Sequence, residues 1–224
     1  MFNIMSPRDI VYWIRSARSD KYLSHLLSKH EACEAFDILY TQRPDPWGSI
    51  LSFYQQQKYK TLLSFISSRR YSNAIDIGCG LGLFTRQLAG VADHVLGIDI
   101  SETAIREACR LSNGASSIRF QCNNLYDLRA DEPFDLVIIS DVLYYLSPFS
   151  DERIKAARSV IERFLTPKGI LLLADHYFFG FDKNSKVTRR IHDSFLGTES
   201  LRLVKEKISP FYLTSVFESQ PSPL

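Results

Sequence analysis

At 224 residues, with 45% hydrophobic, 23% charged and 12% aromatic side chains, the chain is neither a disordered nor a collagen-like polymer; it suits one soluble core, alone or with a small cap. A net charge of +2 and a sequence pI near 8.3 fall short of the basic balance of dedicated nucleic-acid binders. The charge is graded, +4 over residues 1–74, −4 over 75–175 and +2 over 176–224, with no like-charge block long enough for a polyanion-binding arm.

The opening MFNIMSPRDIVYW has no basic stretch leading into an apolar run and cleavage site, and no apolar run reaches the roughly 18–20 residues that span a bilayer. A cytoplasmic chain without a membrane span is expected. Three helical stretches precede Tyr71, the longest expected from Ile50 to Ile66 behind a DPWG break, so residues 1–70 read as a helical cap over the carboxyl edge of a sheet. From Tyr71 to Phe179 strand and helix patterns alternate, which predicts a mostly parallel sheet covered on both faces. The expected strands are Asn73–Ile77, His94–Ile100, Ile118–Cys122, Phe134–Ile139 and Ile170–Ala174. Helices are expected over Leu83–Ala89, after the Ser101 cap through Leu111, and over Asp151–Leu165 with TPKG as its stop. LRLVKEKIS and FYLTSVFES, flanking Pro210, read as a closing antiparallel pair.

Cys33, Cys79, Cys109 and Cys122 form no C-x-x-C pair and the five histidines show no H-x-x-x-H spacing, so neither a metal centre nor a redox dithiol is expected. The informative stretch is Asp76-Ile-Gly78-Cys-Gly80-Leu-Gly82, between an expected strand and helix. Glycines there let backbone approach a ligand and leave amides free for an anionic group. A dinucleotide fingerprint needs a third glycine where Leu83 stands, which weakens a nicotinamide reading.

The D-x-G-x-G-x-G pattern instead resembles the first motif of class I S-adenosylmethionine (AdoMet) dependent methyltransferases. That resemblance implies a Rossmann-like α/β fold: a seven-stranded, mostly parallel sheet with a closing antiparallel strand, plus the N-terminal helical cap, residues 71–224 forming the AdoMet-binding domain. It also implies that Asp99, ending the second strand, meets the ribose hydroxyls, a diol that a carboxylate suits as acceptor. Asn124 is similar in position to the residue facing the adenine amino group, with Ile100 and Leu125 in the same cofactor-contacting set. Ser140-Asp141-Val-Leu-Tyr144-Tyr145 is similar to the segment under the methionine part, and Cys79 reads as passive lining.

Ahead of the glycines, Asp45-Pro-Trp47-Gly and Ser52-Phe-Tyr54-Gln-Gln-Gln-Lys58-Tyr59 resemble a signature of the nodulation protein S family of N-methyltransferases, with Gln55 where that family tends to have Glu. With AIDIGCGLGLFTRQLA and SDVLYYL the resemblance spans residues 45–146 and implies N-methylation of an amino sugar unit. Tyr54 and Lys58, at i and i+4 on one helix face, and Trp47 before them are candidates to close over the cofactor; the alternative makes Trp47 and Tyr54 staples and Lys58 solvated.

Methyl transfer from a sulfonium is an in-line displacement, so holding the acceptor lone pair near the methyl and excluding water supplies most of the catalysis. Tyr144, Tyr145, His176, Tyr177, His192 and Asp193 are the candidate acceptor contacts. His176, just past a strand's carboxyl end, is the first choice for a base, with Tyr145 and His192 beside it. SDVL in place of an N/D-P-P-Y loop, and the lack of a Pro-Cys pair, argue against nucleobase acceptors. A small molecule or sugar acceptor remains, without nucleic acid; monomer and homodimer stay open, as do hydroxyl transfer and a cofactor-binding partner without activity.

Overall fold

The computed structural model describes residues 7–129, 132–146, 149–178, 182–209 and 211–221. The leader reading of residues 1–6 and the turn at Pro210 lie outside them. Helices α1 (Pro7–Leu27), α2 (Ala32–Gln42) and α3 (Phe53–Ile66) precede strand β1 (Tyr71–Ile77). Then follow α4 (Thr85–Leu88), β2 (Ala92–Asp99), α5 (Glu102–Leu111), β3 (Ile118–Cys122), β4 (Phe134–Ser140), α6 (Asp151–Phe164), β5 (Leu165–His176), α7 (Lys183–Ser194), β6 (Leu201–Ser209) and β7 (Tyr212–Ser219).

One seven-stranded sheet runs in the order β3-β2-β1-β4-β5-β7-β6. All neighbours from β3 to β5 are parallel, and β7 alone runs antiparallel, between β5 and β6. Strands covered on both faces need no polar alternation, and β4 accordingly runs Leu136-Val137-Ile138-Ile139 without solvent exposure. Alternate residues feed two cores. Val137, Ile139, Leu171 and Leu173 meet Ile154 and Ile161 of α6 and Ile191 and Phe195 on the α7 side. Leu136, Ile138 and Leu172 meet Leu62 and Ile66 of α3 and Phe84 and Leu88 near α4. The third N-terminal helix thus packs directly on the sheet, while α1 and α2 share a smaller cluster of Leu23, Leu26, Ala35 and Leu39.

Several boundaries differ from expectation. Helix α3 starts at Phe53 because the Ser52 hydroxyl accepts from the Gln55 amide at 3.1 Å, a side-chain cap that leaves Ile50 and the exposed Leu51 outside. The longest N-terminal helix is α1, with 21 residues. The glycine turn holds Leu83 and Phe84 outside α4, which keeps only Thr85–Leu88. TPKG does follow the end of α6, but the chain enters β5 at once, with a register shift against β4 between Phe134 and Leu136 and Lys168 at φ +63°. No helix among the described residues is long and apolar enough to cross a membrane.

Candidate active site

Parallel strands deliver their following loops to one edge, and ligands of open α/β sheets bind where neighbouring crossovers part. Here β1 lies between β2 and β4, so the turns after those strands and after β5 converge. Gly78, Gly80 and Gly82 have φ of +73°, +51° and +67°. At Gly78 a methyl group would lie 2.3 Å from Val142 Cγ2, so no larger residue fits there without displacing the loop after β4. The Asp99 carboxylate, 8% exposed, accepts from the Gly80 amide at 2.9 Å and from the Ser101 amide at 3.0 Å, one on each oxygen. Two lone pairs remain for a diol. Burial pushes its carboxyl above the usual range, and these amides oppose the rise.

Asp76 is 3% exposed and accepts from the Thr85 hydroxyl at 2.6 Å. Burial raises its carboxyl to about 7. Its place is under the glycine turn, which it braces through Thr85. Burial also raises the Cys79 thiol well above its ordinary value, which keeps it a neutral lining group.

Asp141 sits at φ +59° just past β4. One of its oxygens accepts from Lys58 Nζ and the other from the His176 amide at 3.0 Å, while its own amide reaches the Ala174 carbonyl at 2.9 Å. A non-glycine residue held in the left-handed region is tolerable for Asp when its surroundings fix it. Lys58 is 1% exposed, so the solvated alternative is excluded: its ammonium is paired with Asp141 and lies 5.7 Å from the Tyr212 ring centroid. Tyr54, one turn earlier, turns to Tyr12, Phe211 and Tyr212 with centroids 5.1, 5.9 and 6.2 Å away.

The cap enters through Trp47. Helix α1 grips the turn before α3 at successive points: Arg15 donates to the Asp45 carbonyl, Ser19 to the Pro46 carbonyl, and Asp20 accepts from Trp47 Nε1 at 2.9 Å. The same Asp20 oxygen accepts from the Tyr145 hydroxyl at 2.8 Å. Phe36, Tyr40, Trp47, Tyr144 and Tyr145 pack around this point with centroids 4.5–6.4 Å apart, and a Cβ on Gly80 would meet the Tyr40 hydroxyl at 2.8 Å. Neither Asp20 nor Tyr40 carries a local signal. Asp20 reads as one polar position of a mixed helix, its partners lying 27 and 125 residues away.

Trp47, Lys58, Gly78, Cys79, Gly80, Asp99, Asp141 and Tyr145 are therefore brought to one edge, with Ser140 and Ile100 half-buried beside them. Four expected site residues meet a different environment. Asn124 is exposed and folds back to accept from the Tyr126 amide at 3.0 Å, a turn cap, while buried Leu125 joins the core. Gly82 faces Phe120 and Ala108, where a Cβ would collide with the Phe120 ring at 2.6 Å; its role is packing. His192 is 1% exposed, its ring nitrogens 2.8 Å from Ser215 Oγ and 3.1 Å from Asp175 Oδ2. A ring enclosed between α7 and the sheet holds the two together and does not open to an acceptor. His176 remains at the edge, a quarter exposed, with Nε2 3.7 Å from Asp182 Oδ2.

A glycine cradle with a buried diol acceptor beside it, over a loop fixed by the Lys58–Asp141 pair, fits the chemistry of AdoMet. A family model described as Nodulation protein S (NodS) matches residues 37–221. Among curated proteins, Nodulation protein S of Rhizobium tropici is 27% identical over 149 residues, 66% of this chain and 59% of that protein. That of Bradyrhizobium diazoefficiens is 35% identical over 106 residues, 46% and 49% respectively. The matched segments thus span about half to three-fifths of these relatives. The crystal structure of N-methyltransferase NodS from Bradyrhizobium japonicum WM9 superposes with a TM-score of 0.65 at 25% identity, over 75% of this chain and 97% of that one. Its complex with S-adenosyl-l-homocysteine (AdoHcy) gives 0.68 at 22%, over 92% and 98%.

Proposed function

The chain belongs to the nodulation protein S family of class I AdoMet-dependent methyltransferases, and on that premise we propose that it methylates nitrogen on an amino sugar or a related small amine. The observation that carries the reading is the convergence of Gly78, Gly80, Asp99 and the Lys58–Asp141 pair at one sheet edge, under a cap anchored by Trp47. An N-methyltransferase among the similar solved structures supports nitrogen over oxygen.

When bound, AdoMet supplies an electrophilic methyl on a sulfonium. The residues that would hold it are the cradle glycines and Asp99 for the ribose diol, with the Lys58–Asp141 pair fixing the loop after β4 beneath the methionine part. The aromatic cluster of Phe36, Tyr40, Trp47 and Tyr145 excludes water from the reacting groups, which strengthens every charge interaction there. His176, held through its amide by Asp141, is the base we assign for an acceptor that arrives protonated. Residues 1–70 act as the cap, α1 and α2 closing over the edge while α3 packs on one face of the sheet.

The deciding experiment is transfer of labelled methyl from AdoMet to glucosamine and short chitosan oligomers with free amines, beside their N-acetylated counterparts. Label on the free amines alone is expected. Label on both members of a pair establishes a hydroxyl acceptor, and label on neither with AdoHcy still bound removes the amino-sugar assignment. Transfer rates unchanged in His176→Ala remove the base.

A further inference from the structure

Asp20 belongs to α1, ahead of the residues matched by the family model, yet its carboxylate stands among the groups of the candidate acceptor site. Only one of its oxygens is used for structure. Oδ1 accepts from both Trp47 Nε1 and the Tyr145 hydroxyl. Among the described residues Oδ2 has no hydrogen-bond partner, and it is not among the sealed, unsatisfied atoms of the interior. No Lys or Arg among the described residues pairs with Asp20, and the charged neighbours it feels are Asp141 and His176. Asp141 is already compensated by Lys58. The sheet edge therefore presents a carboxylate without a Lys or Arg partner, offset by His176 alone and flanked by the two aromatic side chains that donate to it.

We propose that Asp20 is the specificity-determining residue for a cationic acceptor: its free oxygen receives the acceptor nitrogen and selects amines over hydroxyls. This rests on the methyltransferase reading above and deepens it. The bound ammonium first passes a proton to His176, the base assigned above; the freed lone pair then forms the N–C bond, the S–C bond breaks with its pair left on sulfur, and the positive charge passes from sulfur to nitrogen. A carboxylate in a water-poor site stabilises charge that develops there. A hydroxyl acceptor must instead shed its proton, and the developing alkoxide would be repelled by the same carboxylate.

The test uses Asp20→Asn, which keeps an oxygen for Trp47 and Tyr145 while removing the charge and turning the free acceptor into an N–H donor. With AdoHcy bound to the full chain, ligand-observed NMR measures the affinities of cyclohexylammonium against cyclohexanol, and of glucosamine against N-acetylglucosamine. The wild-type protein is expected to prefer each ammonium by about tenfold or more, the effect of one charge-assisted hydrogen bond. Asp20→Asn is expected to bring the paired probes within about twofold, with AdoHcy affinity and melting temperature unchanged. A preference that survives in Asp20→Asn, or is missing from the wild type, overturns the proposal. So does a loss of AdoHcy affinity that matches the loss of amine affinity, because Asp20 would then serve only the cap. An Asp20-dependent preference for cyclohexylammonium, alongside failure of both sugars, leaves this inference standing and removes the amino-sugar reading.

Discussion

The Lys58 side chain is 1% exposed and has a single carboxylate partner, Asp141. Removing one member of a buried pair leaves the other charge uncompensated, which costs about 3–5 kcal/mol where the site is fully buried. Asp141 retains 29% exposure, so Lys58→Met is expected at or below the lower end of that range in urea unfolding, with part recovered in Lys58→Met/Asp141→Asn. Asp76 gives a different signature. Its folded carboxyl is raised to about 7, against about 3.9 for an unfolded Asp. The folded state therefore binds the extra proton between these values. The stability this group contributes is complete below about pH 4 and is lost as pH rises to about 7. Asp76→Asn is expected to remove that slope, so the stability of wild type minus variant falls over the window and is flat above it. A denaturant series at fixed ionic strength across pH 4–8 reads it directly.

At the scale of elements, Ser101 joins two helices. Its hydroxyl accepts from the Ala104 amide at 3.1 Å to cap α5 and donates to Asp37 of α2 at 2.7 Å, while Asp37 also takes the Thr103 amide at 3.0 Å. Ser101→Ala is expected to cost about 1–2 kcal/mol in chemical denaturation, more than an isolated cap, since it also strips Asp37 of a donor. This junction also marks what the sequence made legible. The Ser101 cap, the apolar run of β4 and the glycine turn are local patterns, readable because helix caps and doubly covered strands leave periodic or compositional traces. The shortness of α4 was not readable, because Leu83 and Phe84 are apolar and helix-compatible while their backbone is set by the preceding turn. The surroundings of His192 and Asn124 are not readable for a related reason: residue type and position after a strand suggest chemistry, while burial and an Asx-type turn are decided by tertiary neighbours. Lys58 was legible as part of the motif, and its burial only from the fold.

For the whole molecule, the clasp of α1 on the turn before α3 and on Tyr145 ties chain segments up to 125 residues apart. The Tyr40 hydroxyl over Gly80 brings the cap against the cradle. Cofactor held there is expected to rest against this cap, so amide exchange across residues 40–60 should slow when AdoHcy is added to the intact protein; unchanged exchange would detach the cap from the cofactor site. The placement of β7 has a consequence in time. The chain leaves β5, builds α7 and then β6, yet the slot beside β5 belongs to β7, and β6 touches the sheet only through it. Ser209 and Tyr212 face each other across residues 210–211, so β6 and β7 meet through a two-residue connection. Such hairpins close within about 1–10 μs, far faster than long-range strand pairing. The last two strands therefore reach β5 as one preformed unit, and the free edge of β5 must wait, unpaired, until the chain has been made through residue 219.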